Sequence, residues 1–297
     1  MNILVLGKTG QLGKSIHELV LSSLQKHNFV FVGREELDLN QNKSINSFFN
    51  GRHFDVVINC AAYTKVDSAE DESKLANQIN HLAVSKLADI AKKQGFKIIH
   101  ISTDYVFDGK STKAYKEGDK PNPLNSYGQT KLDGERAIQR ILTHDSIIIR
   151  TSGLYSNFGE NFVSKIIDIS KTNTEIEVVS DQIVSPTYAP DLAEVIVTII
   201  NSKKFYIQNQ KTQIYHFCAN EALSWFEFAQ TIFKHAKIKI KINPCDSNEF
   251  TSKVKRPNYS VMHTGKIKND YDVSDFSVSD SIERLFESKL NKNKFDI

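Results

Sequence analysis

The stretch Asn2-Ile3-Leu4-Val5-Leu6-Gly7-Lys8-Thr9-Gly10-Gln11-Leu12-Gly13 decides the fold. Its first five residues form the short apolar run of a buried strand. Gly7, Gly10 and Gly13 then give G-x-x-G-x-x-G, with Thr9 inside the turn, and a helical pattern follows from about Gln11 to Lys26. Glycine lets backbone come close to a pyrophosphate, and a helix N-terminus offers N–H groups and a positive dipole end. The bland alternative is a tight strand-to-helix turn that binds nothing. The order strand, glycines, helix favours a dinucleotide cradle.

Outward from this stretch, strand-like and helix-like segments alternate. Phe29 to Val32, Val56 to Asn59, Lys97 to Ile101 and Ser146 to Arg150 read as strands two to five. Helices are expected over Lys43–Asn50, Ala69–Gln94 and Ser126–Leu142, the second as one long amphipathic helix with Leu75, Ile79, Leu82, Leu87 and Ile90 along its apolar stripe. A polar loop runs from Asp108 to Asn125. Short apolar strands alternating with helices imply an α/β, Rossmann-like, doubly wound parallel sheet covered on both faces. After Arg150 the rhythm loosens. Helices are expected at 160–171, 190–201 and 223–236, the last opened by a Ser224–Glu227 capping box, and strands at 176–179 and 214–218. The Lys/Asn-rich tail from Lys289 is expected to fray. The division expected is a dinucleotide-binding domain over 1–155, with later elements returning to it, and a smaller α/β, mainly substrate-binding part over 156–297.

Composition narrows the function. Apolar content of 40%, charged content of 25% and a net charge of +3 fit a globular protein and argue against nucleic acid or a membrane surface as partner. The run Ile3–Leu6 is too short for a signal h-region, and no apolar stretch approaches the roughly 20 residues of a spanning helix. Three scattered cysteines point to a reducing cytoplasm, and nine histidines without ligand spacing give no metal site.

Val32-Gly33-Arg34 ends the second strand without an acidic residue. A carboxylate there would bond the ribose 2′-hydroxyl of NADH, whereas an arginine pairs a 2′-phosphate. Arg34 therefore leans toward NADPH, or is a solvated surface residue. Asp38 and Leu39 flank the adenine, or Asp38 serves only the turn. Tyr127 and Lys131, four apart, share a helix face. An ammonium and a helix N-terminus both favour a phenolate, which makes the phenol a better proton donor. Thr103 ends the fourth strand, where its hydroxyl can orient a carbonyl oxygen.

These segments resemble the extended short-chain dehydrogenase/reductases and, within them, the dTDP-4-dehydrorhamnose reductase family. The resemblance runs from the N-terminus to about Met262. Besides the glycine turn, it is carried by Asn59–Asp67 (NCAAYTKVD), Ser102–Gly109 (STDYVFDG), Pro123–Glu135 (PLNSYGQTKLDGE), Ile149–Tyr155 (IRTSGLY), Asn161-Phe162, Ser180–Thr187 (SDQIVSPT) and Arg256–Met262 (RPNYSVM). It implies Thr103, Tyr127 and Lys131 as the catalytic set, with Lys131 also holding the nicotinamide ribose. It implies that Gly10, Gln11, Leu12, Ala61, Ala62 and Thr64 line the cofactor site. Asp104 and Tyr105 are implied substrate contacts, Asp104 having the alternative of a loop-fixing carboxylate. Asn161 and Gln182 are implied polar contacts to the nucleotide sugar. The Arg256 guanidinium suits a pyrophosphate or forms a surface ion pair. A nucleotide-sugar substrate and a homodimer also follow from the resemblance.

One departure stands out. Gly153 occupies a position where the family usually carries tryptophan, which puts the exact sugar in question; the only tryptophan, Trp225, reads as a packing residue. A dehydratase of the same superfamily would carry Asp-Glu after the strand-four threonine, whereas this chain has Asp104-Tyr105. An epimerase would lack the Thr-Asp-Tyr run. A non-catalytic dinucleotide-binding subunit is the remaining alternative, and an intact Thr103, Tyr127 and Lys131 argue against it.

Overall fold

Alternate residues of each central strand face opposite helical layers, and that alternation builds the molecule. The structure, a computed structural model, describes residues 1–23, 26–207, 211–249 and 254–290. Strand β1 (Asn2–Leu6) leads through the glycine turn to α1 (Gln11–Ser22), followed by β2 (Asn28–Val32), α2 (Asn42–Phe49) and β3 (Val56–Asn59). Short helices α3 (Ser68–Asp71) and α4 (Ser73–Asn77), a π-helical turn over Gln78–Leu82 and α5 (Ala83–Gln94) precede β4 (Lys97–Thr103). Helix α6 (Ser126–Ile141) and β5 (Ser146–Thr151) complete the first half.

Beyond it come β6 (Leu154–Tyr155), α7 (Phe162–Ser170), β7 (Glu175–Val179), β8 (Ile183–Val184), β9 (Thr187–Tyr188) and α8 (Ala189–Asn201). The described chain ends with β10 (Gln213–His216), β11 (Leu223–Ser224), α9 (Trp225–Ala236), β12 (Lys241–Cys245), α10 (Gly265–Tyr271) and α11 (Val278–Leu290). Fraying expected of the tail falls, from residue 291 on, outside the described residues.

Six parallel strands form the main sheet in the order β10-β5-β4-β3-β1-β2. Ile3 and Val5 of β1 join a core with α1, α8 and α10, while Leu4 and Leu6 face a second core with α2, α5 and α6. The sheet is therefore doubly wound, and the chain reverses direction across it between β1 and β3. In such sheets ligands bind outside the carboxyl ends of the strands at that reversal. A third core, built from α7, β7, α9 and α11, lies in the C-terminal part. Strand β10 and helix α8 belong to the main sheet and its cover, although they come after residue 155. Among the described residues no helix is long and apolar enough to cross a membrane.

The expected single helix over 69–94 is broken. The π-helical turn adds a residue to the helical repeat, so the apolar stripe changes phase there. Leu82, placed on the stripe by its spacing, is 43% exposed. Buried Asn80 in this turn accepts from the Tyr63 N–H (2.8 Å) and donates to the Tyr63 carbonyl (3.0 Å) and to the Thr130 hydroxyl (3.2 Å). These tertiary bonds hold a break that periodicity alone does not register.

Candidate active site

The cradle starts at the reversal point. Gly7 has φ +89°, and a Cβ there would lie 3.0 Å from the Ala61 nitrogen, so the turns after β1 and β3 touch. A Cβ on Gly13 would stand 2.2 Å from the Gly7 carbonyl oxygen, which folds α1 tightly onto the turn. No side chain caps the first turn of α1. Backbone N–H groups, a dipole end and a surface without side chains therefore meet in one place, and this set of donors fits a pyrophosphate. Thr9 and Gly10 are exposed, Leu12 is buried beneath the turn, Ala61 and Ala62 are half-buried after β3, and Thr64 is exposed beyond them.

At the tip of β2 the Arg34 guanidinium is exposed and lies 3.6 Å from Asp38. Asp38 accepts from the Asn40 N–H and the Gln41 amide, each at 3.0 Å, which gives it the turn role; Leu39 is buried beside it. Sequence reasoning missed Lys8. Its stem lies over Gly33, and its ammonium pairs with Glu36, whose other oxygen takes the Gly33 N–H (2.9 Å). A lysine inside a glycine turn was the available signal.

Two close helix contacts set where Tyr127 and Lys131 lie relative to Thr103. Asn125 caps α6 by accepting from the Gly128 N–H (2.8 Å). A Cβ on Gly128 would sit 2.2 Å from the Tyr105 carbonyl oxygen, and one on Gly134 would sit 2.2 Å from that of Asn80. Glycine at both positions lets α6 lie directly on the turn after β4 and on the π-helical turn. Thr103 and Tyr127 come together in this way. The Thr103 hydroxyl donates to Asp104 (3.1 Å) and accepts from the Tyr105 N–H (3.2 Å), and it is near enough to the Tyr127 phenol to favour its ionised form. The Tyr105 and Tyr127 rings meet edge to face at 5.6 Å.

Protonation at this point differs from the sequence expectation. Burial pushes the Tyr127 phenol up to about 12, with a further push from Asp104, while the Thr103 hydrogen bond works the other way. Burial also brings the Lys131 ammonium down to about 8, against the charge of Glu135. Lys131 Nζ donates to the Ile101 carbonyl (2.6 Å) and meets His100 Nε2 at 3.4 Å. Desolvation is therefore the leading effect on both groups. A phenol held this high stays protonated at neutral pH, the form a proton donor needs.

Asp104 is 3% exposed and accepts from Thr103 and from Ser152 (2.8 Å); burial raises its carboxyl, opposed by Ser260, Ser152 and Thr103. Beneath the site, Arg150 and Glu135 form a buried pair at 2.6 Å, and Ser102 adds a 2.5 Å bond to the same carboxylate. This pair clamps α6 across β4 and β5. Neither residue was singled out from sequence, since a charged side chain in a strand gives no sign of its partner.

The substrate-side expectations divide. Gln182, half-buried, precedes β8, and Ile183 exchanges backbone bonds with Asn258 and Ser260, so the Gln182 and Arg256 segments adjoin. Arg256 pairs with Asp67 at 2.7 Å. Asn161 is engaged as the cap of α7: its oxygen accepts from Ser164 N–H (3.2 Å), and its amide donates to the Ser156 carbonyl (2.9 Å) and to Gln11 (3.1 Å). Gln11 also accepts from the Ser156 hydroxyl (2.9 Å) and donates to the Leu154 carbonyl (3.3 Å). Gly153 has φ +53°, and Trp225 Cη2 lies 3.3 Å from where its Cβ would be. The indole, packed on Phe162 at 4.7 Å, thus covers the side-chain-free position beside Ser152.

Known proteins resemble the chain over most of its length. The family model described as RmlD substrate binding domain matches residues 1–290. Spore coat polysaccharide biosynthesis protein SpsK of Bacillus subtilis is 35% identical, with 88% of each chain covered. A dTDP-4-dehydrorhamnose reductase of Aggregatibacter actinomycetemcomitans is 34% identical over 91% of this chain and 93% of its own. The crystal structure of dTDP-4-dehydrorhamnose reductase from Bacillus anthracis in complex with NADP superposes with a TM-score of 0.89 at 34% identity, covering 97% of this chain and 99% of that one. With its doubly wound sheet, glycine cradle and Thr103–Tyr127–Lys131 set, the chain belongs to the dTDP-4-dehydrorhamnose reductase family.

Proposed function

We propose that the protein is a cytosolic reductase that converts dTDP-4-dehydro-L-rhamnose to dTDP-L-rhamnose with NADPH. The observation that carries this reading is the meeting of the Thr103 hydroxyl and the buried Tyr127 phenol at the carboxyl end of β4, with Lys131 one helical turn on. The backbone from Gly7 to Gly13 would hold the pyrophosphate, Arg34 and Lys8 the 2′-phosphate, and Ala61, Ala62 and Thr64 the nicotinamide side. NADPH, when bound, supplies the hydride.

The protein's own part is acid catalysis and orientation. Thr103 hydrogen-bonds the 4-keto oxygen, and Tyr127 donates its proton there as negative charge develops. Lys131 holds the ribose and, while charged, stabilises the phenolate left behind. Arg256 turns from Asp67 to the sugar nucleotide's diphosphate, beside Gln182. The described residues after 155, apart from α8, β10 and α10, supply the substrate wall in this reading. Trp225 over Gly153 favours one second reading, a different nucleotide-linked 4-keto-6-deoxy sugar, because the apolar wall comes from another element.

The test mixes purified protein, NADPH and enzymatically generated dTDP-4-dehydro-L-rhamnose. Loss of the nicotinamide absorbance is expected; no loss with NADPH or NADH refutes the substrate. Tyr127→Phe should lower kcat about 10²–10⁴-fold with nearly unchanged NADPH affinity. An undiminished rate removes Tyr127 as the proton donor.

A further inference from the structure

Behind Lys131 lies a chain of hydrogen bonds with fixed direction. The Ala61 N–H donates to Asn59 Oδ1 (3.2 Å). That contact orients the Asn59 amide, because a flipped amide would bring two donors face to face. Asn59 Nδ2 therefore points at His100 Nδ1, 3.1 Å away, and must donate to it. An imidazole that accepts at Nδ1 carries its proton on Nε2. His100 Nε2 is the atom 3.4 Å from Lys131 Nζ. Asn59 and His100 are 1% and 0% exposed, so no solvent rotamer competes.

We propose that Asn59 and His100 are a positioning pair that presents an N–H donor to Lys131, so that His100 donates to the amine and opposes the ammonium. The proposal rests on the role given above to Lys131. The Lys131 N–H groups then serve the Ile101 carbonyl and the cofactor side. The chain is also closed to protons: Nδ1 is already occupied by an amide donor, so His100 cannot pass a proton into the sheet. Lys131 exchanges its proton only through the site.

The other groups facing Lys131 are few. Glu135 on its own helix favours the ammonium but is held by Arg150 of β5 and Ser102 of β4. Cys60, after β3, is a thiol whose own ionisation burial pushes up to about 12, so it stays neutral. Tyr127, one turn back, is likewise protonated. His100 is driven well below its ordinary range by burial and by Lys131, which keeps the imidazole neutral.

The test is nitrogen NMR on the free protein, labelled in histidine and lysine. The native protein should show His100 as the Nε2–H tautomer; an Nδ1–H tautomer overturns the proposal without need of any variant. Asn59→Asp keeps the acceptor for Ala61 N–H but gives His100 Nδ1 an acceptor instead of a donor. The tautomer should reverse, and the Lys131 titration midpoint should rise by about one pH unit or more above that of Asn59→Asp combined with His100→Phe, which carries the same added charge without the imidazole; equal midpoints overturn the proposal. A reversed tautomer with an unmoved Lys131 midpoint also overturns it. Neither measurement uses the sugar nucleotide, so a wrong substrate would leave this result standing.

Discussion

Replacing Gly128 with alanine tests how the active site is assembled. The added Cβ would stand 2.2 Å from the Tyr105 carbonyl oxygen. Carbon and oxygen in contact need about 3.3 Å, so the first turn of α6 must retreat by roughly 1 Å. Tyr127 precedes the substituted residue and moves with it, away from Thr103. A misplacement of about 1 Å at a reacting group costs on the order of 100-fold in rate. The strain itself costs about 1–3 kcal/mol of stability. Gly118→Ala is the control, since nothing lies within 4 Å of a Cβ there. Steady-state NADPH oxidation and urea denaturation should separate the two variants: Gly128→Ala loses turnover while still folded, and Gly118→Ala loses neither. An unchanged kcat in folded Gly128→Ala would refute the claim that this contact sets the distance between Tyr127 and Thr103.

Two further outcomes are expected. Arg150→Met leaves the Glu135 carboxylate buried without its guanidinium partner and should cost about 3–5 kcal/mol in urea denaturation, part of which the double variant with Glu135→Gln restores; additive losses would contradict the pairing. Trp225→Leu should raise KM for the sugar nucleotide about tenfold by thinning the apolar wall, with NADPH affinity unchanged; an unchanged KM would make the indole a packing residue only.

The strands of the first half were legible because a strand buried on both faces must be a short continuous apolar run, as β1, β3 and β5 are. Thr103, Tyr127 and Lys131 were expected to act together because their order along the chain suggests a mechanism, and the fold sets Thr103 at the end of β4 and the other two on α6. The break at 78–82 was hidden, because what holds it is Asn80 reaching Tyr63 and Thr130. Protonation was misjudged for a related reason: desolvation depends on what surrounds a group in three dimensions, and neighbours in sequence do not report it. Asn161 was expected to touch the nucleotide sugar from the resemblance alone, and its capping role stayed hidden because its partner is Ser164 rather than the usual Glu or Gln. Helix α11 shows Val278, Ile282 and Leu285 at helical spacing, a pattern that was available and not used.

Gln11 has a consequence for building new enzymes from this one. Its amide grips Leu154 and, beyond the border expected at residue 155, Ser156 and Asn161. A chimaera that grafts another protein's substrate wall onto this nucleotide cradle therefore inherits a seam to match before it inherits a specificity. Where the incoming segment lacks partners for Gln11, the two halves will be joined by the chain but not held in register, and the donor of the wall should be chosen for that seam first.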